Sequence, residues 1–191
     1  MMITASDFSG GIKAIPSDTI NIPGPESKYN GISTAVAGSK LIDSGGKFLQ
    51  TVDSSGKITN QGVQVGDVVY NTSSTRSGIA KVTAVDSATT LSLSADIFPA
   101  TTNRDSYRVY KGRANAIPFQ LYCGGTAANP PLACDIYVTT IEGDLIFFEG
   151  VQPGEILPVA ISRVNAGAPA AGSNGNTNTL TTATGRYVAL N

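Results

Sequence analysis

Apolar and polar positions alternate most regularly between Gly62 and Lys111, in the run GVQVGDVVYNTSSTRSGIAKVTAVDSATTLSLSADIFPATTNRDSYRVYK. Four short β-rich stretches stand out: Val63–Tyr70, Ile79–Val85, Leu91–Ile97 and Tyr107–Tyr110. Turn clusters at Asn71–Gly78, Asp86–Thr90 and Pro99–Asp105 separate them. Leu91, Leu93 and Ala95 share one strand face while Ser92 and Ser94 share the other, the period of two expected of a half-buried strand. The spacing predicts a self-contained β-meander.

After Gly112 the pattern starts again, and Phe119–Cys123, Cys134–Ile141, Leu145–Glu149, Leu157–Val164 and Tyr187–Leu190 read as strands. Glu142-Gly143 predicts a tight hairpin in which Gly takes positive φ, and Pro153-Gly154 supplies the next turn. The polar, repetitive stretch from Asn165 to Leu180 reads as a long exposed loop. Upstream, Ser39–Ile42 and Lys47–Val52 are weaker strand signals. Residues 1–30 carry isolated apolar positions between glycines and prolines, and Pro16, Pro23 and Pro25 exclude a continuous helix or central strand. An extended arm that lies on another surface suits such a segment. Its Ile3, Phe8, Ile12 and Ile15 are the expected partner-binding positions. No stretch has the period of an amphipathic helix. The expectation is an all-β chain with two small sandwich-like or barrel-like domains. These comprise an arm over 1–30, a candidate to complete the C-terminal sheet, an inserted β-module over 31–113 and a C-terminal β-domain over 114–191.

Composition changes this picture in one respect. Of 191 residues 41% are hydrophobic, enough for a core, but only 14% are charged, well below the roughly 25% of an average soluble domain. Ser, Thr, Asn and 21 Gly take the place of charge, giving a neutral, strand-friendly surface suited to being covered by neighbours. The 13 basic and 14 acidic residues do not cluster by sign, so no stripe exists to neutralise nucleic-acid phosphates. The apolar runs Leu145–Phe148 and Ile156–Ile161 are far shorter than the ~20 residues of a membrane span. The opening MMITASDFSGGIKAIPSD lacks the basic and then apolar blocks of a secretory leader.

Candidate chemistry is sparse. There is no histidine, which removes the usual general base and every His-dependent metal site. Gly10-Gly11 and Val65-Gly66-Asp67 match no phosphate-binding loop. The one acidic grouping, Asp135, Glu142, Asp144, Glu149 and Glu155, is read as solvated rather than as a hydrolytic pair. Asp53, Asp86, Asp96 and Asp105 are read as turn formers rather than calcium ligands. Tyr70, Tyr107 and Tyr110 are expected to cap a small core with their hydroxyls at its edge. Arg104, Arg108 and Arg163 are expected to be solvated or locally paired. Cys123 and Cys134 fit no zinc pattern. They are either two reduced thiols or, if their strands face each other, a cross-strand disulfide. No catalytic residue, cofactor or metal is expected.

Two sets of segments resemble tailed-phage virion proteins. The Val-Gly-Asp strand start, the VTAVDSATTLSLS hairpin and the closing Tyr-Arg-Val-Tyr strand are similar to a small β-module recurring in structural proteins of marine and cyanobacterial phages. Ala14–Thr19, Asp135–Thr140, Gly143–Gly150, Gly154–Val164 and Val188–Leu190 resemble a family of head-spike base proteins of phages and gene-transfer agents. Leu157-Pro158-Val159 and Thr181-Thr182-Ala183-Thr184 stand at the matching places of that family. This chain differs in carrying the Gly62–Lys111 module as an insertion and in its widened Asn165–Leu180 loop.

The resemblance implies a non-enzymatic virion protein, made in the host cytoplasm and carried on the capsid surface. It would act as a decoration or cement protein, or as the base of a head spike. Its partners would be the major capsid protein or other virion proteins, with a homo-oligomer, such as a trimer, at symmetric positions. The alternatives are a receptor- or glycan-binding tail component, which predicts an aromatic and amide cluster near Asn174–Asn178, and a neck or baseplate structural protein. A small hydrolase would require two of Asp135, Glu142, Asp144 and Glu149 to converge in a pocket.

Overall fold

The computed structural model describes residues 11–73, 76–99, 104–112, 118–126, 128, 130–167 and 185–190. Its strands are β1 (Gly11–Lys13), β2 (Ser27–Ile32), β3 (Lys40–Ile42), β4 (Thr51–Val52), β5 (Ile58–Asn60), β6 (Val68–Asn71) and β7 (Gly78–Ser87). They continue as β8 (Thr90–Leu93), β9 (Ser106–Tyr110), β10 (Gln120–Thr126), β11 (Cys134–Thr140), β12 (Leu145–Val151), β13 (Ile161–Val164) and β14 (Gly185–Leu190). The fold is all-β, as expected, built of separate antiparallel sheets with no closed barrel among the described residues. No described helix is long and apolar enough to cross a membrane.

The chain divides into two compact units, one of residues 26–114 and one of residues 1–25 with 115–191. The inserted unit holds a six-stranded sheet in the order β2-β9-β6-β7-β8-β3 and the separate β4-β5 hairpin. Its first boundary falls earlier than residue 31, because Ser27–Ile32 is not arm but the strand that flanks β9. Leu91 and Leu93 point into the core, as their alternation predicts, together with Leu41, Phe48, Val69, Val82, Phe98, Tyr107 and Val109. Ala95 does not continue the pattern: β8 ends at Leu93, and Ala95 is exposed. The stretch expected as Val63–Tyr70 becomes strand only from Val68, after a turn whose Gly66 has φ 91°.

Asp67, in the Val-Gly-Asp stretch, explains why this unit tolerates being an insertion. Its buried carboxylate accepts Lys28 Nζ at 2.8 Å near the start of the unit. It also accepts the amides of Gln64 and of Gly112 at its end, each at 2.8 Å. Ser27 pairs with Tyr110 in the β2–β9 ladder, so the chain leaves beside the point where it entered. An inserted domain needs that closeness of its ends.

The other unit has two three-stranded sheets, β1-β14-β10 and β12-β11-β13. Phe119 exchanges backbone bonds with Ile161 at 3.0 and 2.8 Å, and Leu157 donates to Leu121 at 2.9 Å, so the strands around β10 and β13 are stitched together. The strand expected over Leu157–Val164 is regular only over Ile161–Val164. The Glu142-Gly143 turn forms as predicted. Thr140 donates to Asp144 at 2.9 Å and Gly143 to Thr140 at 3.2 Å, with Gly143 at φ 97°. That positive φ supplies the bulge which lets β11 and β12 run on in register.

Candidate functional site

The described part of the N-terminal segment lies on its own unit. Ile12 pairs with Ala189 in the β1–β14 ladder, and Ile12 and Ile15 are only 4% and 8% exposed. The expectation that they face a partner is therefore corrected: apolar side chains dotted along an extended segment fill this chain's own core. Ile3 and Phe8 lie outside the described residues. The Pro-Ser-Asp stretch is a clamp. Ser17 donates its amide to Val164 and Ile22 to Ser162, each at 2.8 Å. Ser17 Oγ caps the amide of Ile20 at 3.1 Å. Asp18 accepts the amides of Ala166 and Gly167 at 2.9 and 3.2 Å. Arg163 reaches Asn21, Asn165 and Thr139, a locally paired arginine.

The acidic grouping is spread over two strands and the turns beside them, with Asp135 in β11 and Glu149 in β12. Asp135 accepts the amide of Gly150 at 2.8 Å and Glu155 that of Gln152 at 3.0 Å, while Glu142 and Asp144 are exposed at the hairpin tip. Ser55 Oγ, then the Lys57 and Ser55 amides, donate to Asp53 and lower its pKa. Asp86 is lowered by Lys40 and Ser92. Asp105 departs from the turn-former expectation. It is buried, accepting Asn71 Nδ2 at 2.9 Å and Arg76 Nη2 at 3.2 Å. Among the described residues no group of three or more His, Cys, Asp or Glu is placed to hold a metal ion.

The tyrosines also differ from expectation, since Tyr70 and Tyr107 are wholly buried rather than edged by solvent. Burial, then the neighbouring Asp43, raises the Tyr107 pKa, and its hydroxyl donates to Asp43 at 2.6 Å. Gly31 makes room for that bond, because a Cβ there would lie 2.6 Å from both the hydroxyl and the carboxylate. A groove of about 490 Å³ is lined by Tyr29, Lys47, Leu49, Thr51, Thr59 and Asn60 among others. Its amide is fully used internally: Asn60 donates to the carbonyls of Lys47 and Leu49 and accepts from Gly62. Asn174–Asn178 lie outside the described residues.

The cysteines are brought together, but not as cross-strand neighbours. Cys123 is on β10 and Cys134 on β11, strands of different sheets, and both are buried free thiols with Sγ atoms 3.2 Å apart. Burial, then the bond to Cys134, pushes the Cys123 thiol up to about 11. The Tyr187 hydroxyl lies 3.6 Å from Cys134 Sγ.

One partly accessible apolar strand is one the alternation did not single out. Among the described residues β12 pairs with β11 alone and ends its sheet. Ile146, Phe147 and Phe148 are half-buried and Leu145 is 51% exposed. With Thr140 and Asp144 hydrogen-bonded, the ladder's alternation turns the backbone groups of Leu145 and Phe147 away from β11. Phe147 also packs on Tyr137 with ring centroids 4.8 Å apart. The hint in the sequence was the unbroken run Leu-Ile-Phe-Phe, apolar toward both faces of a strand. Leu49, Val52 and Ile58, in and beside the β4–β5 hairpin, are a second exposed apolar group.

Comparison with protein-family models, with curated proteins and with solved structures finds no match to this chain.

Proposed function

We propose that this chain is a non-enzymatic structural protein of a tailed-phage particle, binding the capsid surface as a decoration or cement protein or as a spike base. The observation that carries the reading is β12, a strand with a run of four apolar residues that has a partner on one side alone among the described residues. Native sheets blunt such edges unless another chain pairs with them. Glu142, Asp144 and Glu149 are exposed around it, so the matching surface is a shell strand whose apolar side chains are flanked by Lys or Arg. Strand addition of this kind draws affinity from main-chain bonds and specificity from alternate side chains. Each ~100 Å² of apolar contact adds on the order of 2.5 kcal/mol before ordering costs, and repetition over a symmetric shell multiplies it.

Mixing the purified protein with capsids stripped of accessory proteins tests this. Stoichiometric rebinding with a raised capsid melting temperature is expected. Phe147→Lys, placing a charge on the edge, should abolish rebinding while leaving the circular dichroism spectrum unchanged. Failure of the unaltered protein to bind any particle component would end the reading.

A further inference from the structure

We propose that Cys123 and Cys134 are a disulfide-forming pair, converted by a small-molecule disulfide such as oxidised glutathione into a covalent staple between the β10 and β11 sheets. The sulfurs are already in contact at 3.2 Å, so closing to the ~2.05 Å of a disulfide needs about 1 Å of movement. Neither strand has to slide, because each thiol is held by its own sheet: Cys123 opposite Tyr187 on β14, Cys134 opposite Val151 on β12.

The reaction balances without any group beyond the oxidant. One cysteine thiolate attacks the small disulfide, breaking its S–S bond and releasing one small thiol. The second cysteine sulfur then attacks the protein-bound sulfur, forming the Sγ–Sγ bond and releasing the other small thiol. The protein loses two electrons and two protons, and both pass to the two thiols released.

Packing decides which product survives. Both cysteines are buried, and the chain beyond Cys123 is so close-packed that a Cβ on Gly125 would lie 2.6 Å from Pro153. A glutathionyl group has no room on either sulfur in the folded unit, so refolding around the mixed disulfide favours its resolution to the internal bond. Burial also disfavours the attacking thiolate. The first step therefore waits on an opening of the unit, and the pair stays reduced during brief exposure to oxidant.

The test uses the full chain incubated with oxidised glutathione below its melting temperature, then acid-quenched and mapped without reduction. The expected product is a monomer lighter by two hydrogens, with a peptide joining Cys123 to Cys134. The temperature at which β10–β14 lose amide protection should rise by roughly 10 °C. A phosphine reductant should reverse that rise, and Cys134→Ser should abolish both crosslink and gain. Persistence of both thiols, a lasting glutathione adduct, disulfide-linked dimers, or a crosslink that leaves the melting unchanged or lower would each overturn the proposal. None of these outcomes depends on capsid binding.

Discussion

The inserted unit keeps three carboxylates inside, those of Asp43, Asp67 and Asp105, whereas the buried polar side chains described in the other unit are Thr139, Thr140, Ser162 and Asn165, all neutral. The two units solve different problems. The insertion is a run of short strands whose turns and ends must be tied, and a carboxylate can accept from several amides and a cation at once. The discontinuous unit must instead join segments far apart in sequence. It does so through backbone ladders, β1 with β14 and residues 17–22 along β13. Strong charge-assisted ties make the first unit sensitive to loss of a single group, and distributed neutral contacts make the second less so.

Replacing the most connected carboxylate should break this contrast most severely. Asp67→Ala leaves Lys28 and two amides without their acceptor, and the inserted unit should lose about 3–5 kcal/mol. Hydrogen exchange should show β6–β9 deprotected at lower denaturant while β10–β14 keep their protection.

A smaller effect separates two tyrosines in the same unit. Tyr107→Phe removes the donor to buried Asp43 and should cost about 1–3 kcal/mol in urea unfolding. Tyr70→Phe removes a buried hydroxyl that has no hydrogen-bond partner among the described residues, so stability should hold or rise by up to about 1 kcal/mol. Equal losses from both would show that the Asp43 bond does not set the Tyr107 hydroxyl apart from that of Tyr70.

Alkaline titration gives the finest distinction. Burial raises the pKa of Tyr70, Tyr107 and Tyr187 above 10.0, and takes Cys123 from 9.0 to about 11. The folded chain holds these protons more tightly than the unfolded chain, so their stabilisation is complete at low pH and lost as pH rises. The discontinuous unit should begin to lose stability near pH 9, where the unfolded Cys123 ionises. The inserted unit should hold until about pH 10, where its unfolded tyrosines do. Melting curves across pH 8–11 should show that order, and Cys123→Ala should remove the earlier decline.

Some of this was legible residue by residue. Leu91 and Leu93 announced a buried face, and Gly143 announced a hairpin, because side-chain alternation and positive φ are local properties. β2 was not legible. Ser27–Ile32 is a mostly polar stretch that becomes strand because β9 offers it a ladder, and backbone hydrogen bonding is blind to side chains. Asp67 gave no sign of its role, since its partners Lys28 and Gly112 stand 39 and 45 residues away. The place of β12 at the end of its described sheet was equally hidden: Leu145–Phe148 reads as an apolar strand, and which strand ends a sheet depends on what pairs beside it.

The amino-acid order by itself determined that this chain is β-rich, where most of its strands and turns fall, and that histidine chemistry is absent. Those are consequences of nearest-neighbour sterics and of period-two burial. Only the tertiary structure decided that Ile12 and Ile15 are buried in their own unit, that two cysteines of different sheets touch, and that β12 has a partner on one side alone among the described residues. Each depends on pairings between distant segments, whose free energy comes from burial and shared backbone bonds rather than from any local preference.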